Sequence, residues 1–132
     1  MKLLLDTHAF LWAVMAPEKL GRKARSAMKF PGNEIFVSTI SFWEISLKYS
    51  LGKLQLEGII PDELPSVAGE AGFSLCTMDP RIAASFHQLP RIGHKDPFDR
   101  MLIWQAIQSD FTLLSKDTAM KSCTDLGLKV LW

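Results

Sequence analysis

Five short apolar runs recur along this chain with helical patterns between them, and no other feature restricts its fold as much. The runs are Leu3-Leu4-Leu5, Ile35-Phe36-Val37, Phe73-Ser74-Leu75-Cys76, Phe111-Thr112-Leu113-Leu114 and Val130-Leu131-Trp132. Each has the length and composition of a buried strand. The amphipathic stretches between them are bounded by Pro31-Gly32-Asn33, Pro61, Gly72, Pro80 and Pro90, residues that stop helices and start turns. Repeated β-α connection of this kind predicts an α/β protein, a central parallel sheet covered by helices on both faces. Right-handed crossovers then bring the C-terminal ends of the strands to one edge, where helices begin and ligands usually sit. Residues that directly follow a strand are therefore the first candidates for function.

Size and composition narrow the setting. With 132 residues, 48% of them apolar and 22% charged, the chain can bury enough surface to offset the entropy of ordering it, as one domain over 1–132. It contains no internal repeat, low-complexity tract or long linker. A net charge of +1 creates no global basic field, so any contact with nucleic acid has to come from a local patch. Cys76 and Cys123 are far apart and build no disulfide framework, and the apolar stretch near the N-terminus is too short for secretion. No apolar run approaches the roughly eighteen residues that cross a bilayer. A reduced cytoplasm, with no membrane contact, is the expected setting.

Acidic residues stand at the places that matter. Asp6 follows the first run directly and precedes Thr7, with a helix N-cap as the plain alternative to a functional role. Glu44 lies in the helical pattern Ser41 to Lys48, among Ile40, Trp43, Leu47 and Leu51, which read as the apolar stripe of that helix. A carboxylate inside such a stripe needs a cation or donors. Lys48 at i+4 is the ordinary partner, but an exposed pair contributes only about 0.3–0.5 kcal/mol, so a metal ion is preferred. In His94-Lys95-Asp96-Pro97-Phe98-Asp99-Arg100, an N-cap at Asp96 and Pro97 at the first helical position announce a helix. Asp99 then falls at N3, in line with Leu102, Ile103 and Ala106, and Asp96 is a secondary ligand candidate. Ser115-Lys116-Asp117 follows the fourth run, on the same edge as Asp6. Each acid alone has a capping alternative. Their convergence points to a divalent cation, because gathered like charges repel unless neutralised.

Several chemistries are excluded. His8, His87 and His94 lack zinc-ligand spacing with one another or with the cysteines, and His8 reads as packing or polar support. No glycine-rich phosphate loop and no Gly-x-Ser-x-Gly elbow is present. Trp12, Trp43, Trp104 and Trp132 read as core or dimer-interface residues, with base stacking as the minor alternative for an exposed one.

With these residues in place, the chain resembles the PIN-domain ribonucleases, and in particular the VapC-type toxins of bacterial toxin-antitoxin pairs, nearly from end to end. The resemblance is carried by Leu3-Leu4-Leu5-Asp6-Thr7-His8, Ser38-Thr39-Ile40-Ser41 ahead of Glu44, Asp96-Pro97-Phe98-Asp99-Arg100 with Gln105-Ala106, and Ser115-Lys116-Asp117. It implies a three-layer α/β/α sandwich with a central parallel sheet, and cleavage of single-stranded RNA with Mg²⁺, for which Mn²⁺ substitutes. It further implies a homodimer silenced by an antitoxin protein, and an acidic quartet of Asp6, Glu44, Asp99 and Asp117. Two positions depart from the family pattern: Ser115 stands where Thr is common, which preserves the hydroxyl, and Trp104 stands where a small residue is common.

Carboxylates suit hard cations, and Mg²⁺ keeps several waters, so such a site leaves room for phosphate. The expected chemistry is in-line attack on phosphorus by a metal-activated water. Asp6, Asp99 and Glu44 are expected to fix the metal, and Asp117 to bind a second ion or orient the water. Thr7, Ser38 and Ser115 are expected to support the acids by hydrogen bonds. Lys48, Lys53, Arg91, His94, Lys95, Arg100 and Lys116 form a candidate basic rim for RNA, although any one of them alone reads as solvated surface. Two alternatives compete. One is a phosphatase with Asp6 as nucleophile, against which His8 occupies the place of a second Asp. The other is a non-catalytic partner-binding module whose acids only cap helices.

Overall fold

A computed structural model describes residues 1–91, 93 and 95–132. Each of the five apolar runs contains a strand, the last without Trp132: β1 (Lys2–Leu5), β2 (Glu34–Ser38), β3 (Ser74–Cys76), β4 (Thr112–Leu114) and β5 (Lys129–Leu131). They form one sheet in the order β3-β2-β1-β4-β5, with every neighbouring pair parallel. Helices α1 (Thr7–Met15), α2 (Arg22–Lys29), α3 (Thr39–Ser50), α4 (Leu64–Glu70), α5 (Pro80–Ser85) and α6 (Pro97–Gln108) fill the connections, and the 3-10 segment Thr118–Leu126 links β4 to β5.

Phe73 and Phe111 stop short of the strands that the sequence gives them to, for the same reason. Their backbone N–H groups donate back to Ala68 and Ala106, 2.9 Å each, and so close the preceding helices. The reversal requires a left-handed residue just before, supplied by Gly72 (φ 84°) and by Asp110 (φ 57°), one of the few non-glycine residue types that tolerate it.

Period-2 alternation sorts the core into two layers. Leu3, Leu5, Val37 and Leu114 pack with Phe10, Ala24, Ile45, Leu64 and Ala68 from α1, α2, α3 and α4 on one face. Leu4 and Leu113 pack with Leu102, Ile103 and Ala106 of α6, and with Met120 and Cys123, on the other. Burial of each Leu, Ile, Val, Phe or Met among them contributes about 1.5–3 kcal/mol, which makes these strands the rigid centre. The result is the predicted α/β/α sandwich. Trp104, the departure from the family pattern, docks α6 on α5: its indole N–H reaches the Ile82 carbonyl and Ser85 Oγ, 3.1 Å each. Among the described residues no helix is long and apolar enough to cross a membrane.

The α3 stripe is a correction to the sequence reading. Trp43 and Leu51 are 60% and 57% exposed, whereas Ser41, Glu44 and Ile45 are the buried residues of the helix. Successive residues turn by about 100°, so a helix that presents Ser41, Glu44 and Lys48 inward turns Trp43 well away from them, while Leu47 and Leu51 lie at its exposed C-terminal end, Leu51 as the C-cap. Trp43 instead meets Phe98 at the start of α6, edge to face with ring centroids 5.0 Å apart.

Candidate active site

After β1 the chain builds β2 and β3 on one side and then returns across the sheet to β4 on the other. The C-terminal ends of β1 and β4 therefore flank the switch point where such sheets form ligand crevices. Asp6 and Ser115 sit there. The Asp6 N–H bonds to the Leu114 carbonyl, and the Ser115 N–H to the Leu131 carbonyl, 3.1 Å each. Asp6 caps α1 by accepting from the Ala9 N–H at 2.7 Å, so the capping alternative is realised in full. It does not exhaust the residue. Asp6 is only 4% exposed, and its carboxyl is held above its ordinary pKa. Burial is the main cause. Hydrogen bonds from Ser115 and Ala9 and the charge of His8 oppose it, and the charge of Glu44 reinforces it.

Glu44 is buried, as the sequence predicts, but its surroundings differ from those expected. Thr7 Oγ1 donates to Glu44 Oε1 at 2.6 Å and contacts Ser41 Oγ at 3.1 Å. Lys48 Nζ pairs with Glu44 Oε2. The ordinary i+4 partner is thus present in a half-buried place where it counts for more, and the burial of Glu44 by itself does not require a cation. Burial of Lys48 works to lower its pKa, yet the Glu44 hydrogen bond and the charges of Glu44, Asp96 and Asp99 outweigh it, so the ammonium is held above its ordinary value. Lys48, predicted for the RNA rim, is an internal counter-charge of the acids.

Asp99, at the first turn of α6, and Asp117, after β4, line a cavity of about 320 Å³ together with Asp6, His8, Trp12 and Lys116. Asp117 also caps the 3-10 segment through the Ala119 N–H at 2.9 Å, and its own N–H donates to Ser115 Oγ at 3.1 Å. Asp96 serves as the N-cap of α6, accepting from Phe98 and Asp99 at 2.9 and 3.0 Å, and it does not line the cavity. Ser38 is buried and caps α3 through the Ile40 N–H at 3.1 Å.

Among the described residues, no three Asp, Glu, His or Cys side chains converge closely enough to enclose a cation by themselves. The donor chemistry nevertheless fits Mg²⁺, which binds through one or two carboxylates and retains its remaining waters. Three carboxylates face one cavity. Burial raises the Asp6 pKa and the Glu44 charge adds to it, so a cation beside Asp6 would favour its ionised form.

The basic rim is only partly realised. Arg91 and Lys95 are exposed and border a separate cavity of about 440 Å³ with Phe86, Pro97 and Arg100, and Lys53 is exposed on the loop after α3. Lys116 is exposed at the acidic cavity. Arg100 corrects the prediction, because it is 8% exposed and its guanidinium donates to the Leu89 and Pro90 carbonyls at 3.0 and 3.1 Å. His94 lies outside the described residues. Sequence reasoning missed His8 and Trp12 as lining of the cavity. Their i, i+4 spacing on a helix that Asp6 caps is the signal that places them beside it.

A carboxylate-lined crevice thus lies at the switch point of a parallel sheet, and sequence comparison identifies the family. The PIN domain profile matches residues 3–125, and the chain belongs to the PIN domain family. It is related to ribonuclease VapC22 of Mycobacterium tuberculosis, with 28% identity over 119 residues that cover 90% of this chain and 89% of that one. The fold matches VapBC2 of Rickettsia felis bound to a promoter DNA fragment, with a TM-score of 0.68 and 14% identity over 99% of this chain and 98% of the other. It also matches a toxin-antitoxin complex from Klebsiella pneumoniae, with a TM-score of 0.58 and 18% identity over 98% and 96%.

Proposed function

We propose that this chain is a Mg²⁺-dependent endoribonuclease that cleaves single-stranded RNA in the cytoplasm, the toxin of a toxin-antitoxin pair, acting as one domain over 1–132. The observation that carries the proposal is the cavity shared by Asp6, Asp99 and Asp117 at the switch point, with the Asp6 carboxylate buried in it. The name of the M. tuberculosis relative supports the reaction, and the K. pneumoniae complex supports the partner.

Asp6 and Asp99 would hold Mg²⁺ or Mn²⁺, and Asp117, which lines the same cavity, would complete the site. When bound, the ion supplies Lewis acidity toward a phosphoryl oxygen and makes a coordinated water more acidic. Ser115 orients Asp6. Thr7 and Lys48 fix Glu44, whose charge deepens the negative potential felt by Asp6. Lys116 is placed to meet a backbone phosphate, and Asp117 to orient the attacking water.

A labelled single-stranded RNA is expected to be cut with Mg²⁺ or Mn²⁺, left whole with EDTA, and left whole by Asp99→Asn in either metal. Undiminished cleavage in EDTA would sink the proposal. Release of inorganic phosphate from a simple monoester without RNA cleavage would favour a phosphatase.

Two surfaces suit the proposed partners. A groove of about 510 Å³ lined by Ala13, Leu20, Met28, Ile35 and Phe73, with Arg25 and Lys29 beside them, suits an antitoxin segment. The outward face of α3, with Trp43, Leu47 and Leu51, suits a second copy of the chain. Trp43→Glu is expected to shift the protein from dimer to monomer in sedimentation equilibrium without loss of helix content. A dimer unaffected by the charge excludes this face.

A further inference from the structure

Two aromatic rings, His8 and Trp12, line the cavity of the acids and a third, Trp132, adjoins Trp12, their planes tilted by 43° and 58°, and phosphodiester chemistry gives them no role. His8 and Trp12 are four residues apart on α1 and share one helix face, with ring centroids 5.7 Å apart. Both line the cavity of Asp6, Asp99 and Asp117. His8 is exposed and Trp12 half-buried, so the pair is open to solvent at the cavity. The Trp132 indole stands 5.7 Å beyond Trp12. Trp132 lies so close on Gly21 that a Cβ there would come within 2.6 Å of its ring, which braces Trp12 from behind.

Cations flank this aromatic row. Lys116 Nζ lies 5.7 Å from the Trp12 ring centroid. Lys116 and Asp117 also line a neighbouring cavity of about 260 Å³ that Lys23, Lys121 and Trp132 border, so the two cavities adjoin at these residues. Trp12 packs in part against the core but leaves its ring half-open at the three carboxylates, with Lys116 over it. Aromatic faces interleaved with cations are what a single strand of nucleic acid uses: bases stack on the rings, and phosphates follow the positive charges. A duplex hides its base faces, so such a seat selects unpaired segments.

We propose that Trp12, together with His8, is a nucleobase seat: a base flanking the cleaved phosphate stacks on this ring pair while Lys116, Lys23 and Lys121 hold the adjoining backbone. The assignment rests on the ribonuclease function proposed above and adds to it the binding residues for a flanking base.

Initial-rate cleavage of a defined single-stranded RNA by the full chain in Mg²⁺ tests it. Loss of one stacked base corresponds to roughly a five- to hundredfold change. Trp12→Ala is expected to raise KM by about that factor with kcat changed far less, and Trp12→Phe to restore most of the loss. An abasic nucleotide next to the cleaved bond should impose a similar penalty on the wild type and almost none on Trp12→Ala, a coupling that a merely structural tryptophan would not produce. His8→Ala, at an exposed residue, should shift KM in the same direction, and it carries the test together with Lys121→Ala if Trp12→Ala does not fold.

Unchanged KM in the folded variants, or an abasic penalty equally large in Trp12→Ala, overturns the seat. So does loss of antitoxin binding with RNA kinetics intact, which would assign the rings to a protein partner. If the wild type cuts no RNA, the ribonuclease assignment itself fails. If it cuts normally and only these variants are silent, the seat alone does.

Discussion

Asp6→Asn is expected to abolish RNA cleavage, a loss of about a thousandfold or more, while leaving the protein at least as stable as the wild type at neutral pH. Asparagine retains the oxygen that caps α1 through the Ala9 N–H and removes only the charge. That charge is the costly part. Burial raises the Asp6 pKa against the hydrogen bonds and the His8 charge that favour ionisation. A carboxyl whose pKa is higher in the folded than in the unfolded chain binds its proton more tightly when folded. It therefore favours folding below its unfolded pKa, and that contribution is lost as the pH rises through the folded pKa. At neutral pH the metal-free wild type carries the penalty and the asparagine variant does not. Melts in EDTA should place the variant at or above the wild type at neutral pH, with the difference shrinking as the pH falls into the ordinary carboxylate range. Asp6→Ala should fare worse by about 1 kcal/mol because it also loses the cap. Added Mg²⁺ should raise the melting temperature of the wild type and leave that of Asp6→Asn nearly unmoved. An asparagine variant that melts well below the wild type in EDTA would show that the ionised carboxylate is there to hold the fold.

The strands and the start of α6 were legible in the sequence because their signals are local. A parallel strand buried on both faces must be apolar throughout, as Leu3-Leu4-Leu5 is, and Asp96-Pro97 announces a helix by its own backbone chemistry. The exact strand ends were not, since Phe73 and Phe111 spend their N–H groups on helix closure, which apolar character does not reveal. The inward face of α3 was misread for a deeper reason. Ser41, Glu44 and Lys48 turn toward the site, so hydrophobic patterning fails where a polar network replaces packing. The same holds for the basic residues. A run of sequence gives the charge of Arg100 but not the two backbone carbonyls that wait for it, and it offers Lys48 as the i+4 partner of Glu44 without showing that the pair is half-buried. His8 and Trp12 needed the rest of the cavity lining, Asp99 and Asp117, which arrives from the far end of the chain.

Arg100 gives the second large effect, and the expected loss is in stability. Its guanidinium is buried, donates to the Leu89 and Pro90 carbonyls and lies over the Phe86 ring at 5.4 Å, so it ties α6 to the segment that follows α5. Arg100→Met keeps much of the packing volume but strips both carbonyls of their donor, at a cost of about 2–3 kcal/mol. Arg100→Lys keeps the charge, yet one ammonium cannot reproduce a planar fork spanning two acceptors, so an intermediate loss is expected. Urea unfolding measures both. Arg91→Ala and Lys95→Ala, at exposed positions, should stay within about 0.5 kcal/mol of the wild type and act, if at all, through a raised KM for RNA. The contrast separates a tie in the fold from a rim on its surface. An Arg100→Met variant as stable as the wild type but weakened toward RNA would return Arg100 to the rim, and the tie between α6 and the segment after α5 would then have to be carried by other contacts, with the Trp104 indole bonds to Ile82 and Ser85 the first to test.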